Sequence, residues 1–345
     1  LQPKIHGGIL ANRKIEAHLT EADELGIPMI DLVVVNLYPF KATILKPGVT
    51  MADAIENIDI GGVTLIRAAG KNSDSVTLLT DPEDYPGFIE ALKANTLDDA
   101  FRKKMALKGF RQTAAYDTLI SQYLAKELGD SELPDQLSMT YEKQQSLRYG
   151  ENPHQSAAFY REVSLLDGRL SGAVQLHGKE LSYNNIGDSS AAIEMIREFS
   201  DPTVVALKHA NPCGVGTSDT LFGAYERAYK ADPVSIFGGI VVLNGEVDEA
   251  TALEMNKIFL EIVIAPAYSE AALEILKKKK NLRLLQLADI MNPVTPEPYF
   301  YKKVDGGLLI QEADHHVMDD ENYKVVTEKQ PTEQEWADLK LAWKV

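Results

Sequence analysis

Residues 204–216 read Val204-Val205-Ala206-Leu207-Lys208-His209-Ala210-Asn211-Pro212-Cys213-Gly214-Val215-Gly216. The apolar run Val204–Leu207 lacks the alternation of a half-exposed strand, so it predicts a strand buried on both faces. Lys208 and His209 do not belong in such a core and are expected to emerge where the strand meets its crevice. Asn211 to Gly216 reads as a glycine-rich loop leading to a helix with Leu221, Ala224, Tyr225 and Ala228 inward. Histidine exchanges a proton near neutral pH, and lysine stabilises negative charge developing on oxygen. The pair suits acyl-type transfer, in which an amine loses a proton as a tetrahedral oxyanion forms. A satisfied structural histidine is the alternative.

The same grammar extends in both directions. Met29–Leu37 and Ser75–Leu79 read as buried strands, stopped by Tyr38-Pro39 and Asp81-Pro82. Asp99–Leu128 has helical spacing with a stop at Gly129. Asp130–Ser146 is polar and reads as the connection between two domains, 1–135 and 136–345. Beyond it, Asp188–Phe199 and Glu249–Leu260 read as helices, Ser235–Leu243 as a strand broken by a glycine pair, and Ile262–Ala265 as a strand. Glu270–Leu276 reads as a helix running into a solvent-facing lysine run, Lys277–Lys280. Alternating strands and helices predict parallel α/β layers.

Two further polar clusters stand out. Lys4-Ile5-His6-Gly7-Gly8 has the makings of a phosphate-holding turn, because exposed amides and a cation both favour an anion; an ordinary tight turn explains it equally. The second cluster joins Asn36 and Tyr38, at a strand end, to the turn Asp59-Ile60-Gly61-Gly62 and to Arg67, Lys71 and Asn72. Val63–Ala69 fits strand or helix. If helical, Arg67 and Lys71 share a face, and with the glycine turn they suit an oxygen-rich anion. Tyr38 and Asp59 then orient a proton or a polar group. A solvated helix face with Asp59 as its cap is the structural alternative.

The 345 residues, with 45% hydrophobic and 25% charged side chains, have an ordinary globular balance. A formal charge of −16 argues against broad binding to nucleic acid or anionic membranes while permitting locally basic sites for small anions. No apolar run approaches the roughly 18 residues at which a spanning helix becomes a candidate. The single cysteine, Cys213, excludes an internal disulfide framework and fits a reducing, cytoplasmic setting. His209 and Pro212-Cys213 invite comparison with a zinc deaminase, but such a centre needs a second cysteine and a His-x-Glu pair. Position 216 is glycine and position 211 asparagine, so the metal reading fails on ligand count. Glycine-rich dinucleotide and ATP signatures and a serine-hydrolase elbow are also absent.

The chain opens on Leu1 without an initiator methionine. It closes on a capped, apolar-faced helix with Thr332 and Glu335 as a capping box and Trp336, Leu339 and Trp343 on one side. Truncation at both ends is therefore expected, with a natural C-terminal helix docking on its own core as the alternative for the last segment.

Taken in order, Ile5–Ala11, Asn36–Phe40, Ile58–Leu65, Arg67–Asn72, Leu147–Gln155 and Lys208–Gly214 closely resemble the bifunctional purine-biosynthesis family. That family combines 5-aminoimidazole-4-carboxamide ribonucleotide (AICAR) transformylase with inosine monophosphate (IMP) cyclohydrolase. The match runs in register over essentially the whole chain. It implies a methylglyoxal-synthase-like parallel-sheet domain followed by a cytidine-deaminase-like transformylase domain lacking zinc.

By the same resemblance, Tyr38, Asp59 and Lys71 are the ring-closure residues, with Asn36, Gly61 and Arg67 nearby. Lys208 and His209 are the formyl-transfer pair. Arg148 and Tyr149 contact the nucleotide, Arg148 at its phosphate, and Asn184 lies near the imidazole carboxamide. The implied reactants are AICAR, formyl-AICAR, IMP and the cosubstrate 10-formyltetrahydrofolate, with no metal. The implied assembly is a homodimer with shared transformylase sites. Family members extend beyond both ends of this sequence, so weak or absent transformylase activity and impaired cyclohydrolase activity are expected. The runner-up reading is a noncatalytic nucleotide-binding or assembly fragment.

Overall fold

The computed structural model describes residues 1–130, 133–164, 167–292, 299–314 and 323–345. The chain divides into two compact units, Leu1–Glu142 and Lys143–Val345.

The first unit runs α1 (Pro3–Leu10), α2 (Glu16–Glu24), β1 (Leu32–Val34), α3 (Phe40–Ile44), α4 (Met51–Glu56) and α5 (Gly61–Lys71). It continues with β2 (Thr77–Leu79), α6 (Tyr85–Lys93) and α7 (Asp99–Glu127). β1 and β2 pair in parallel, Val33 opposite Leu78. Ile9, Val33, Ile66, Ala69, Val76 and Leu78 form the core beneath them. Three local expectations need correction. Lys4–Gly8 lies within α1, because Pro3 supplies a preset first-turn φ and the Gln2 side chain accepts the Lys4 N–H at 2.6 Å. Gly61-Gly62 opens α5, which settles Val63–Ala69 as helix with Ile66, Ala68 and Ala69 buried. The strand expected over Met29–Leu37 is regular only at Leu32–Val34, although Val35 still donates to the Leu79 carbonyl at 2.9 Å.

The strand β3 (Tyr141–Leu147) crosses the division, so residues 141–146 of the supposed connection are strand; residues 131–132 lie outside the described residues. The second unit then runs β4 (Ala157–Glu162), β5 (Val174–His177), α8 (Tyr183–Ile196), β6 (Thr203–Lys208) and β7 (Asn211–Thr217). After these come α9 (Leu221–Ala231), β8 (Ile240–Leu243), α10 (Glu249–Met255), β9 (Ile262–Ala265), α11 (Glu270–Leu276) and β10 (Arg283–Gln286). Last are β11 (Tyr299–Val304), β12 (Gly307–Glu312) and α12 (Glu333–Lys344).

Six strands form one sheet in the order β5-β10-β9-β8-β6-β7. β8, β9 and β10 are parallel, as their crossover helices α10 and α11 allow. β6 is antiparallel to both β8 and β7, and β5 is antiparallel to β10. The second-unit sheet is therefore mixed. Side chains alternate between its faces: Val204, Ala206, Val241 and Val263 meet Ala224, Ala228 and Ala252, while Val205, Leu207, Val242 and Ile264 meet Ala192, Ile193 and Ile196.

The expected loop Asn211–Gly216 is strand β7. Its glycines serve packing: a Cβ on Gly214 or Gly216 would lie 2.1 or 2.2 Å from the carbonyl oxygens of Ala228 and Ala224 in α9. The expected strand Ser235–Leu243 is regular only from Ile240, since Gly238 turns the chain at φ 71°. The lysine run is not uniformly solvated either. The Lys279 ammonium donates to the Ile258 carbonyl, and burial lowers its pKa. α12 forms with the expected capping box, but Trp343 is 74% exposed and no residue of this helix is buried.

Two candidate active sites

In the first unit the chain leaves β1, passes Asn36 and Tyr38, and meets the turn before α5. The carboxylate of Asp59 organises this meeting. One oxygen accepts the Gly62 N–H at 2.6 Å, and the other accepts the Tyr38 main-chain N–H at 3.2 Å. Asp59 precedes the N-cap residue Ile60 and braces the start of α5 with one oxygen while holding the main chain at Tyr38 with the other. Gly62 has to lack a side chain here, because a Cβ would sit 2.6 Å from that carboxylate. The Tyr38 ring is exposed, and Asn36 donates to the Tyr85 hydroxyl at 3.4 Å. Gly61 is exposed, with nothing within 4 Å of a notional Cβ, so its amide and the start of α5 are open to a ligand.

Arg67 and Lys71 share a face of α5, as four-residue spacing dictates. The Arg67 guanidinium lies 5.9 Å from the centroid of the Phe110 ring. Lys71 is the last residue of the helix and Gly61 the first. A rise of about 1.5 Å per residue separates these ends by roughly 15 Å. The structure therefore gathers Asn36, Tyr38, Asp59 and Gly61, and leaves Lys71 one helix length away.

Tyr116 was legible in the sequence only as a core position of α7. It is 8% exposed, and its hydroxyl accepts the Asp59 N–H at 2.8 Å and donates to the Asn57 carbonyl at 3.0 Å. Burial pushes its pKa up, so the phenol stays protonated and able to donate. The signal that would have found it is general: a buried tyrosine hydroxyl needs a partner.

In the second unit Lys208 ends β6, and His209 and Ala210 are the central residues of a two-residue turn into β7. Both have positive φ, 52° and 58°. Such a turn matches the twist of a hairpin. Residues other than glycine held in that conformation cost roughly 1–3 kcal/mol each. Lys208 Nζ donates to the Phe237 carbonyl at 3.0 Å, and His209, the next residue, is exposed on the turn. An ammonium has three donors, so two remain for a substrate oxygen. Phe237, which the sequence reading treated as strand, thereby aims the lysine.

A six-residue link, 197–202, joins α8 to β6, and α8 packs on that strand through Ala192, Ile193 and Ile196. Asn184 lies in the first turn of α8, exposed, behind the Ser182 cap. Gln145 donates to the Leu181 carbonyl at 3.4 Å, which ties the strand leading to Arg148 and Tyr149 to the same place. Arg148 stacks 5.8 Å from the centroid of the Tyr149 ring. Among the described residues, the contacts of Arg148 and Tyr149 stay separate from those of Lys208 and His209: the first pair stack on each other, and Lys208 is held at Phe237.

Cys213 stays a thiol. Burial pushes its pKa up, and Sγ donates to the Ala206 carbonyl at 3.4 Å. Among the described residues no cluster of three or more His, Cys, Asp or Glu side chains is placed to hold a metal ion.

Comparison with known proteins adds the wider frame. A family model for the MGS-like domain matches residues 6–64, and one for the AICARFT/IMPCHase bienzyme matches residues 69–345. The bifunctional purine biosynthesis protein PurH of Acetivibrio thermocellus is 55% identical over 347 residues, which cover 100% of this chain and 67% of that protein. The protein of the same name from Ruminiclostridium cellulolyticum is 52% identical, and one from Bacillus cereus 55%, each over 346 residues with the same coverage. With its α/β architecture and two polar sites, the chain belongs to the AICARFT/IMPCHase bienzyme family.

Proposed function

We propose that this chain serves the last two steps of de novo purine biosynthesis, with formyl transfer in the second unit and ring closure in the first. The observation that carries the reading is the Lys208–His209 pair, delivered by a strand buried up to Leu207 onto a two-residue turn. In the first step the 5-amine of AICAR attacks the formyl carbon of 10-formyltetrahydrofolate. His209 takes the proton that the amine loses, and Lys208 steadies the oxygen as it becomes negative. Breaking the bond from the formyl carbon to the folate nitrogen then releases tetrahydrofolate, its nitrogen reprotonated, and leaves formyl-AICAR. Arg148 and Tyr149 hold the nucleotide, Arg148 at its phosphate, and Asn184 meets the carboxamide.

In the second step the carboxamide nitrogen attacks the formyl carbon already beside it, and water leaves as IMP forms. Little is needed beyond orientation and charge stabilisation. Tyr38, Asp59, Asn36 and the Gly61 amide supply the orienting end of the site. Arg67, about 9 Å along α5 from Gly61, and Lys71, at its end, suit the substrate's anionic groups, with Lys71 stabilising negative oxygen. The acidic chain and its small local basic sites favour these anions over nucleic acid, and no described helix is long and apolar enough to cross a membrane. A homodimer in the cytoplasm completes the proposal, supported by the family resemblance and the free Cys213 thiol.

The test follows IMP formation from AICAR with 10-formyltetrahydrofolate, and separately from formyl-AICAR. His209→Asn keeps a residue tolerant of positive φ while removing the imidazole. It should slow formyl transfer about 10²–10⁴-fold and spare ring closure. Lys71→Ala should raise the KM for formyl-AICAR alone. Full formyl transfer by His209→Asn, or loss of ring closure together with formyl transfer in that variant, refutes the reading; absence of both turnovers in the unaltered chain favours the noncatalytic nucleotide-binding fragment.

A further inference from the structure

The turn that presents His209 carries a restraint of its own. Asn211 is the first residue of β7 and lies opposite Lys208 in the register. Its side-chain Nδ2 donates to the His209 main-chain carbonyl at 2.7 Å. That carbonyl belongs to the peptide joining His209 to Ala210, the two residues with positive φ. A flip of this one peptide plane would convert a type I′ turn to type II′: the second central residue returns to negative φ, while the first, His209, keeps positive φ and takes a ψ that suits glycine. A flip would swing the His209 carbonyl away from Asn211 and change the ψ of His209, re-aiming the backbone beside its imidazole. We propose that Asn211 is a positioning residue for formyl transfer: its amide pins the 209–210 peptide and keeps His209 in register with Lys208.

The inference rests on the formyl-transfer reading of Lys208 and His209, and the experiment separates the two. Asn211→Ala removes the donor, and Asn211→Asp keeps the shape while replacing the donor by a repelling oxygen. Ala210→Gly removes the steric penalty of positive φ at the second central residue, so the turn holds its shape without the Asn211 bond. In the full chain, both position-211 variants should lower kcat for formyl transfer about tenfold or more by misplacing the imidazole. The KM for AICAR should change by less than about twofold, because binding is not the interaction lost. Adding Ala210→Gly to Asn211→Ala should restore most of kcat, which no general folding defect would allow.

NMR with selectively labelled histidine and alanine reads the backbone directly. Ala210 should leave positive φ in the position-211 variants. Unchanged kcat with Ala210 still at positive φ, or no recovery in the double variant, overturns the assignment. If the unaltered chain transfers no formyl group, the functional reading fails, and loss or retention of the turn in the NMR comparison still decides whether Asn211 pins it.

Discussion

The main-chain N–H of Tyr38 lies 3.2 Å from a carboxylate oxygen of Asp59, so the exit of the first strand is tied to the entrance of α5 by a single side chain. The other oxygen holds Gly62, and the N–H of Asp59 itself is held by Tyr116. Three separate segments thus converge on one turn. The placement of Tyr38 in the proposed ring-closing site depends on that turn keeping its shape.

Tyr116→Phe tests this dependence without touching a residue proposed to contact substrate. It strands the Asp59 N–H and the Asn57 carbonyl in a buried setting, a loss expected to cost about 1–3 kcal/mol. Urea unfolding of the first unit should register it as a lower midpoint at unchanged slope. Turnover of formyl-AICAR should fall while formyl transfer holds. Equal loss of both activities would show that the effect is not local.

Two glycines separate packing from ligand access. Gly214→Ala places a Cβ 2.1 Å from the Ala228 carbonyl. Overpacking against backbone should destabilise the second unit by about 1–3 kcal/mol or more. Gly61→Ala meets nothing within 4 Å. It should leave thermal stability unchanged or raise it by up to about 1 kcal/mol, as alanine suits a helix better. Reduced affinity for formyl-AICAR in that variant would then report contact with the ligand. A clear drop in melting temperature for Gly61→Ala would contradict this account.

Lys108 bridges the carboxylates of Asp81 and Asp84 at 2.7 and 2.6 Å. Its hydrogen bond with Lys108 holds Asp81 below the ordinary 3.8. Burial works against the charged lysine, but the two carboxylates outweigh it and raise Lys108 above 10.5. The sign follows from each direction. The Asp81 contribution is present above pH 3.8 and lost as pH falls through its depressed value. The Lys108 contribution is present below pH 10.5 and lost as pH rises through its raised value. Lys108→Met should remove the alkaline flank from the pH profile of stability and shrink the acidic one, since the Glu83 N–H still donates to Asp81; denaturant unfolding measures both. The groups are partly solvated, so the effect should be small and sensitive to salt.

The legible parts of this molecule were those in which local pattern and burial coincide. Val204–Leu207 could hardly be anything but a core strand, and Thr332 with Glu335 announced a helix that forms as capped. β7 was illegible because Pro212, Gly214 and Gly216 have the composition of a loop. Only the backbone of α9, pressed against those glycines, explains them as strand. Likewise Asp59 and Lys71 looked like one cluster until Val63–Ala69 proved helical and set them at opposite ends of α5. The Lys208–His209 pair was visible as chemistry, but its turn conformation and the restraint from Asn211 were not. Positive φ at His209 and Ala210 arises from pairing β6 with β7, a relation that residue identities do not encode locally.

The hairpin gives its two reactive side chains unequal anchorage. Lys208 extends from a strand flanked on both sides, β8 and β7, and is tethered again at Phe237. His209 rides on the bend to an outermost strand with a neighbour on one side only. Fraying from the rim would therefore reach His209 before Lys208, and the side-chain bond from Asn211 is what the bend has against it.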